Sequence, residues 1–134
     1  MAVWGIGANL QGSIDISDDF INRKIAYLGY KKEDASVFYE MLKEVALGDI
    51  VYIKSLPIGG SKLHIKNVGI VTRELSNVVQ YIDGDTKNDT IGVKWLDLQM
   101  DLDIEMCDKK YTARSTSIYQ EYSPFVIDEI ITRI

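Results

Sequence analysis

Apolar and polar positions recur along this chain with periods that change from segment to segment. Residues 2–8, Ala-Val-Trp-Gly-Ile-Gly-Ala, are apolar at consecutive positions, as in a short strand covered on both faces. Ser17-Asp18-Asp19-Phe20 reads as a helix start, with Ser17 as cap and two aspartates at the positive end of the dipole. That helix ends near Lys24, and residues 25–30 read as a second strand. After Asp34, apolar residues at Ala35, Phe38, Met41, Leu42 and Val45 follow one helical face. Leu47-Gly48-Asp49 closes this helix, with Gly48 suited to a left-handed turn. Ile50-Val51-Tyr52-Ile53-Lys54 is then a strand buried on both sides.

Further on, the apolar parity slips. Leu63 and Ile65 are odd-numbered, whereas Val68 and Ile70 are even, which predicts a bulge near Lys66-Asn67. Residues 77–82 and 91–98 read as strands separated by a polar turn at 83–89. Leu102, Ile104 and Met106 alternate with Asp101, Asp103 and Glu105, a half-exposed strand with an acidic outer face. Ser123 caps a last helix with Pro124 at its first position and Ile127, Ile130, Ile131 and Ile134 as its core face. The elements add up to an α+β fold, a single domain over residues 1–134, with six or seven strands curled into a small barrel and three helices.

Charge narrows the functional classes. Twenty acidic residues against 15 basic ones give a formal charge of −5, which disfavours sequence-blind binding to duplex nucleic acid. A small ligand in a pocket needs only local complementarity. The single cysteine, Cys107, excludes an internal disulfide and a cysteine-built zinc site, and reads as a packed thiol in a reducing compartment. No run approaches the ~20 apolar residues of a membrane span, and no leader pattern precedes the first strand, so the expected location is cytoplasmic with no membrane partner.

Candidate chemistry is sparse. The lone histidine, His64, lies in a strand pattern and is expected to face solvent or hydrogen-bond a neighbour. Gly59-Gly60-Ser61 lacks the lysine and helix of a phosphate loop, and Asp83–Asp89 lacks the final glutamate of a calcium loop. The expectation is a domain without catalysis, metal or cofactor. Its aromatic residues are numerous: Trp4, Tyr27, Tyr30, Tyr52, Trp95, Tyr111, Tyr119 and Tyr122. Flat aromatic walls suit a nucleobase, since stacking contributes ~1–3 kcal/mol per base. Arg114 could clamp a phosphate or pair with the acidic face. Trp4 beside Gly5 and Gly7 either lines a pocket or plugs the core, the glycines admitting something close to the backbone.

From Asp34 to Thr72 the order is amphipathic helix, Leu47-Gly48-Asp49-Ile50-Val51-Tyr52-Ile53-Lys54-Ser55, loop, then Val68-Gly69-Ile70-Val71-Thr72. With the opening tryptophan strand, this resembles the PUA-like superfamily, and its EVE-type branch in particular. The resemblance implies a barrel of about six strands with two or three flanking helices, and non-catalytic recognition of a modified base or nucleotide. It also implies a pocket flanked by Trp4, the Asn9-Leu10-Gln11 loop, Tyr30, Lys54 and Ser55. Trp95, Tyr119 and Arg114 complete the expected ligand-binding set. Two alternatives stand beside it: sequestration of a free nucleotide signal, cyclic or otherwise, in conflict between bacteria and phage, and an acidic module that binds or inhibits a protein.

Overall fold

A computed structural model describes residues 1–10, 14–29, 34–55, 60–76, 80–82, 85–87, 89–107 and 114–134. The strands are β1 (Val3–Gly7), β2 (Asn9–Leu10), β3 (Ile14–Asp15), β4 (Ile25–Ala26), β5 (Ile50–Ser55), β6 (Lys62–Ser76), β7 (Gln80–Ile82), β8 (Asp85–Lys87), β9 (Thr90–Trp95), β10 (Met100–Asp103) and β11 (Ile118–Glu121). The helices are α1 (Ser17–Arg23), α2 (Ser36–Glu44) and α3 (Pro124–Ile131). No helix among the described residues is long and apolar enough to cross a membrane.

Seven strands form one mixed sheet in the order β11-β1-β5-β6-β9-β4, with β10 pairing to β6 beside this path. The β1–β5 pair is parallel and the others are antiparallel. Among the described residues the outermost strands, β11 and β4, do not pair with each other, so the sheet is open where a closed barrel was expected. β7 and β8 make a separate two-stranded ribbon within the stretch expected to hold a strand and a polar turn.

The sheet is covered on both faces because its central strands are apolar at consecutive positions. In β1, Trp4 and Ile6 join a core with α1 and α2, whereas Val3 joins a second core with α3. In β5, Val51 and Ile53 face the first core and Ile50 and Tyr52 the second. The parity slip in β6 is a bulge at the expected place: Ile53 pairs with Asn67 but Lys54 pairs with Ile65, leaving Lys66 extra. Ile65 and Val68 thereby share the α3 face. The buried Asn67 side chain stabilises the distortion, its Oδ1 accepting from the backbone N–H of Val68 and of Leu98.

Local signals were read with mixed success. Gly48 has φ of +86°, so the turn after α2 is left-handed as expected. Ser123 caps α3 by accepting from the Val126 N–H, with Pro124 in the first turn. The cap of α1 is corrected: Ser17 caps nothing, and Asp15 Oδ1 instead accepts from both the Ser17 N–H and hydroxyl. Of the strand expected over 25–30, Ile25 and Ala26 pair with β9 among the described residues, directly after the left-handed Lys24 that ends α1. On α3 the buried residues are Val126 and Ile130, while Ile131 and Ile134 are exposed. The expected alternation through residue 106 stops at Asp103, where a turn leaves Met106 in solvent.

Gly5 answers a steric demand made within the chain. It pairs with Tyr119 of β11, and a Cβ on Gly5 would lie 2.3 Å from Cζ of that ring. At Gly7 the nearest atom would be Lys54 Cε at 3.6 Å, an ordinary contact. Gly5→Ala should therefore cost about 2 kcal/mol by overpacking, and Gly7→Ala should be neutral or slightly stabilising. Urea unfolding midpoints of the two variants check this contrast.

Candidate functional site

Most of the residues expected to meet a ligand instead satisfy one another. Trp4 is 2% exposed, and its indole Nε1 donates to Asp49 Oδ2 at 3.0 Å. The same carboxylate accepts from the backbone N–H of Ala2 (3.0 Å) and of Ala46 (2.9 Å). Asp49 thus binds the start of β1, the Trp4 ring and the end of the α2 turn. Burial acts to raise its pKa, but these three hydrogen bonds outweigh it and hold the carboxyl below its ordinary value of 3.8. Trp4 plugs the core; it is not a solvent-facing stacking wall.

A second polar cluster lies on the α3 face. Glu121 is enclosed by β5, β11 and the start of α3. Its Oε1 accepts from Tyr52 Oη at 2.6 Å and Arg114 Nε at 2.9 Å, and its Oε2 from Arg114 Nη2 at 2.7 Å and the Ser123 N–H at 3.1 Å. Arg114 is 5% exposed and also donates to the Cys107 carbonyl. Tyr119, 4% exposed, shares a 2.8 Å hydrogen bond with Tyr52. Burial lifts both phenols well above the ordinary tyrosine value, with the Glu121 charge adding to it. Lys54 Nζ donates to the Arg114 carbonyl at 2.9 Å and sits 5.8 Å from the centre of the Tyr119 ring. Burial lowers the Lys54 pKa. The phosphate clamp expected of Arg114 is corrected: a guanidinium whose Nε–Nη2 edge is held by both Glu121 oxygens, with Nη1 on the Cys107 carbonyl, is spent on the core.

Trp95 is half-buried, stacked near Phe20 with centroids 6.4 Å apart. Its Nε1 donates to the carbonyls of Phe20 (3.0 Å) and Ile25 (3.2 Å), tying α1 to β4 rather than presenting a stacking surface. Asn9 is exposed on β2, opposite Asp15. Gln11 and Tyr30 lie outside the described residues.

Ser55 is different, because it opens onto a cleft of about 570 Å³. Ser17, Asp18 and Ile21 of α1 form one side, and Ser55, His64, Ile65, Lys66, Gln99, Met100 and Asp101 the other. Ile65 and Met100 border the cleft only from beneath, their side chains being buried in the α3-side core on the other face of the sheet. His64 Nδ1 hydrogen-bonds Asp101 Oδ1, fulfilling the expectation of a neighbouring partner. At the rim, Lys66 Nζ bonds Asp15 Oδ2 at 2.9 Å. Burial would raise the Asp15 carboxyl, but the Ser17 hydroxyl, Lys66 and the Ser17 N–H together bring it down to about 2. With Asp18 and Asp101 facing Lys66 and His64, the cleft has no net positive character. Among the described residues expected to bind ligand, Ser55 alone lines it. The others, His64, Asp101, Lys66 and Gln99, were signalled only by falling between buried positions on alternating strands.

The chain matches no protein-family model, and no curated protein matches it in sequence.

Two outcomes test these buried charges. Arg114→Met leaves Glu121 without its cation and should lower stability by about 3–5 kcal/mol, a loss read from chemical denaturation and lessened when Glu121→Leu is added. Asp49 has a folded pKa below its unfolded one, so its contribution is complete above about pH 4 and disappears as pH falls through the folded value. Stability measured from pH 6 down to pH 2 should fall below pH 4, and Asp49→Asn should flatten that decline while lowering the plateau.

Proposed function

We propose that this chain is a small PUA-like ligand-binding domain whose open sheet is a partly closed form of the superfamily's barrel. The ligand is of the nucleobase or nucleoside class and occupies the cleft between α1 and the β5–β6–β10 strip. One observation carries the reading: a 570 Å³ cleft in which several polar side chains converge opposite Ile21 of α1. That volume is within the ~300–1,000 Å³ common for small-molecule sites. Ile21 of α1 offers apolar contact to a heteroaromatic ring. Ser55, Gln99 and His64 offer the mixture of donors and acceptors that a base edge requires.

Electrostatics refine the ligand class. Asp18 and Asp101 in the cleft, and the engagement of Lys66 with Asp15, oppose a strongly anionic ligand. A neutral base or nucleoside, free or turned out of a strand, fits this better than a polyphosphate. The acidic surface likewise favours a free small molecule over a long polynucleotide. Recognition of a base or nucleotide is what the resemblance implies.

A thermal-shift panel of bases, nucleosides, nucleotides and oligonucleotides carrying modified bases tests the reading. A ligand at 100 times its Kd stabilises by ~2.7 kcal/mol, a shift on the order of 10 °C for a domain of this size. Ile21→Trp, at a partly exposed position on the cleft wall, should abolish the shift while leaving the ligand-free melting temperature nearly unchanged. No shift with any nucleoside or base, or a shift that survives Ile21→Trp, overturns it.

A further inference from the structure

Ser55, His64 and Asp101 stand in one row across three adjacent strands. Ser55 of β5 is the cross-strand partner of His64 of β6, and His64 is the cross-strand partner of Asp101 of β10. Directly paired residues share a face of the sheet, so all three side chains project to the α1 side, and all three line the cleft. We propose that this row is a serine-nucleophile site and that the cleft cleaves carboxylic esters. The proposal rests on the cleft admitting a small ligand, as argued above.

The chemistry follows from the hydrogen bond already made. An ionised carboxylate can only accept, so Asp101 fixes the proton of a neutral imidazole on Nδ1 and leaves the lone pair on Nε2. Nε2 is then the base, held by Asp101 on one side with Ser55 on the opposite strand. Cross-strand partners keep their Cβ atoms about 5 Å apart, so rotation of the Ser55 side chain brings Oγ within reach. Catalytic contacts of this kind often tighten only with substrate bound.

In the proposed reaction Ser55 Oγ bonds to the ester carbonyl carbon while its proton passes to His64 Nε2. The carbonyl oxygen becomes an oxyanion, for which the Gln99 carboxamide N–H is the donor lining the same cleft. Collapse of the intermediate breaks the bond to the leaving alcohol, which takes the proton from His64, and leaves acyl-Ser55. Water then attacks the acyl carbon as His64 takes its proton, and the Ser55–acyl bond breaks with that proton returned to Oγ. The sum is ester plus water to carboxylic acid plus alcohol, with no oxidant, reductant or metal.

The whole chain is treated with a fluorophosphonate probe, the labelled peptide is located by mass spectrometry, and p-nitrophenyl acetate hydrolysis is followed in parallel. Expected are one adduct on Ser55, none in Ser55→Ala, and a labelling rate about 100-fold lower in His64→Gln. Asp101→Asn should also slow labelling, since an amide no longer enforces the proton on Nδ1. A Ser55→Cys variant gives an independent measure: its alkylation by iodoacetamide should be faster than that of Ser55→Cys carrying His64→Gln. Absence of a Ser55 adduct in the native chain, or a rate indifferent to His64→Gln, overturns the proposal. If nucleosides still stabilise the protein in that case, ligand binding stands and catalysis alone falls. If Ser55 is labelled but no base or nucleoside binds, the ligand class falls and the ester chemistry stands.

Discussion

The Glu121 carboxylate organises half of this molecule. It is a buried charge, and burying a charge is tolerable only when its lone pairs are filled. Arg114 supplies two donors, Tyr52 a third, and the backbone N–H of Ser123 a fourth. Those four contacts fix the segment before β11, the middle of β5 and the first turn of α3 around a single group. Tyr119 is drawn into the same cluster through Tyr52, and its ring covers Gly5. The glycine in the first strand is therefore a consequence of the Glu121 network, whose members on β11 and β5 flank β1 on either side.

The opposite face of the sheet is organised differently. There Trp4, Phe20, Tyr39 and Leu42 pack as apolar bulk under α1 and α2, with Asp49 pinning the Trp4 indole. The bulge at Lys66 sets the boundary between covered and uncovered sheet on that face. It keeps Ile65 and Val68 together on the α3 side, while its N-terminal flank turns His64 toward α1. The first turn of α1 ends the helical cover, and the strip formed by Ser55, His64 and Asp101 beyond it is where the cleft opens.

What could be read from the chain was what neighbouring residues decide. The parity change from Ile65 to Val68 forces a bulge whatever the tertiary context, and it is found there. Gly48 and the Ser123-Pro124 cap are equally local, as was the burial of β5 on both faces. The aromatic pocket was not legible, because a count of aromatic rings says nothing about what their polar tips meet. Trp4 finds Asp49 at a separation of 45 residues, and Tyr52 finds Glu121 at 69. The cap of α1 failed on a finer point: Asp15, two residues ahead, accepts from both the N–H and the hydroxyl of Ser17, so that hydroxyl donates to Asp15 instead of capping the helix. Closure of the barrel depends on pairing between chain-distant edges, which no periodicity encodes.

The same limitation explains why His64 looked inert. Its significance lies in two registers at once, one placing Ser55 opposite it and the other placing Asp101 on its far side. A shift of one residue in either pairing would send Ser55 or Asp101 to the α3 face. Such a shift would move a charged Asp101 into the core that holds Met100 and Leu102, so the apolar alternation of β10 enforces the register. The stability of the α3-side core thus positions the polar row on the α1 side. The Glu121–Arg114 pair and the polar groups offered to a ligand lie on opposite faces of the same sheet.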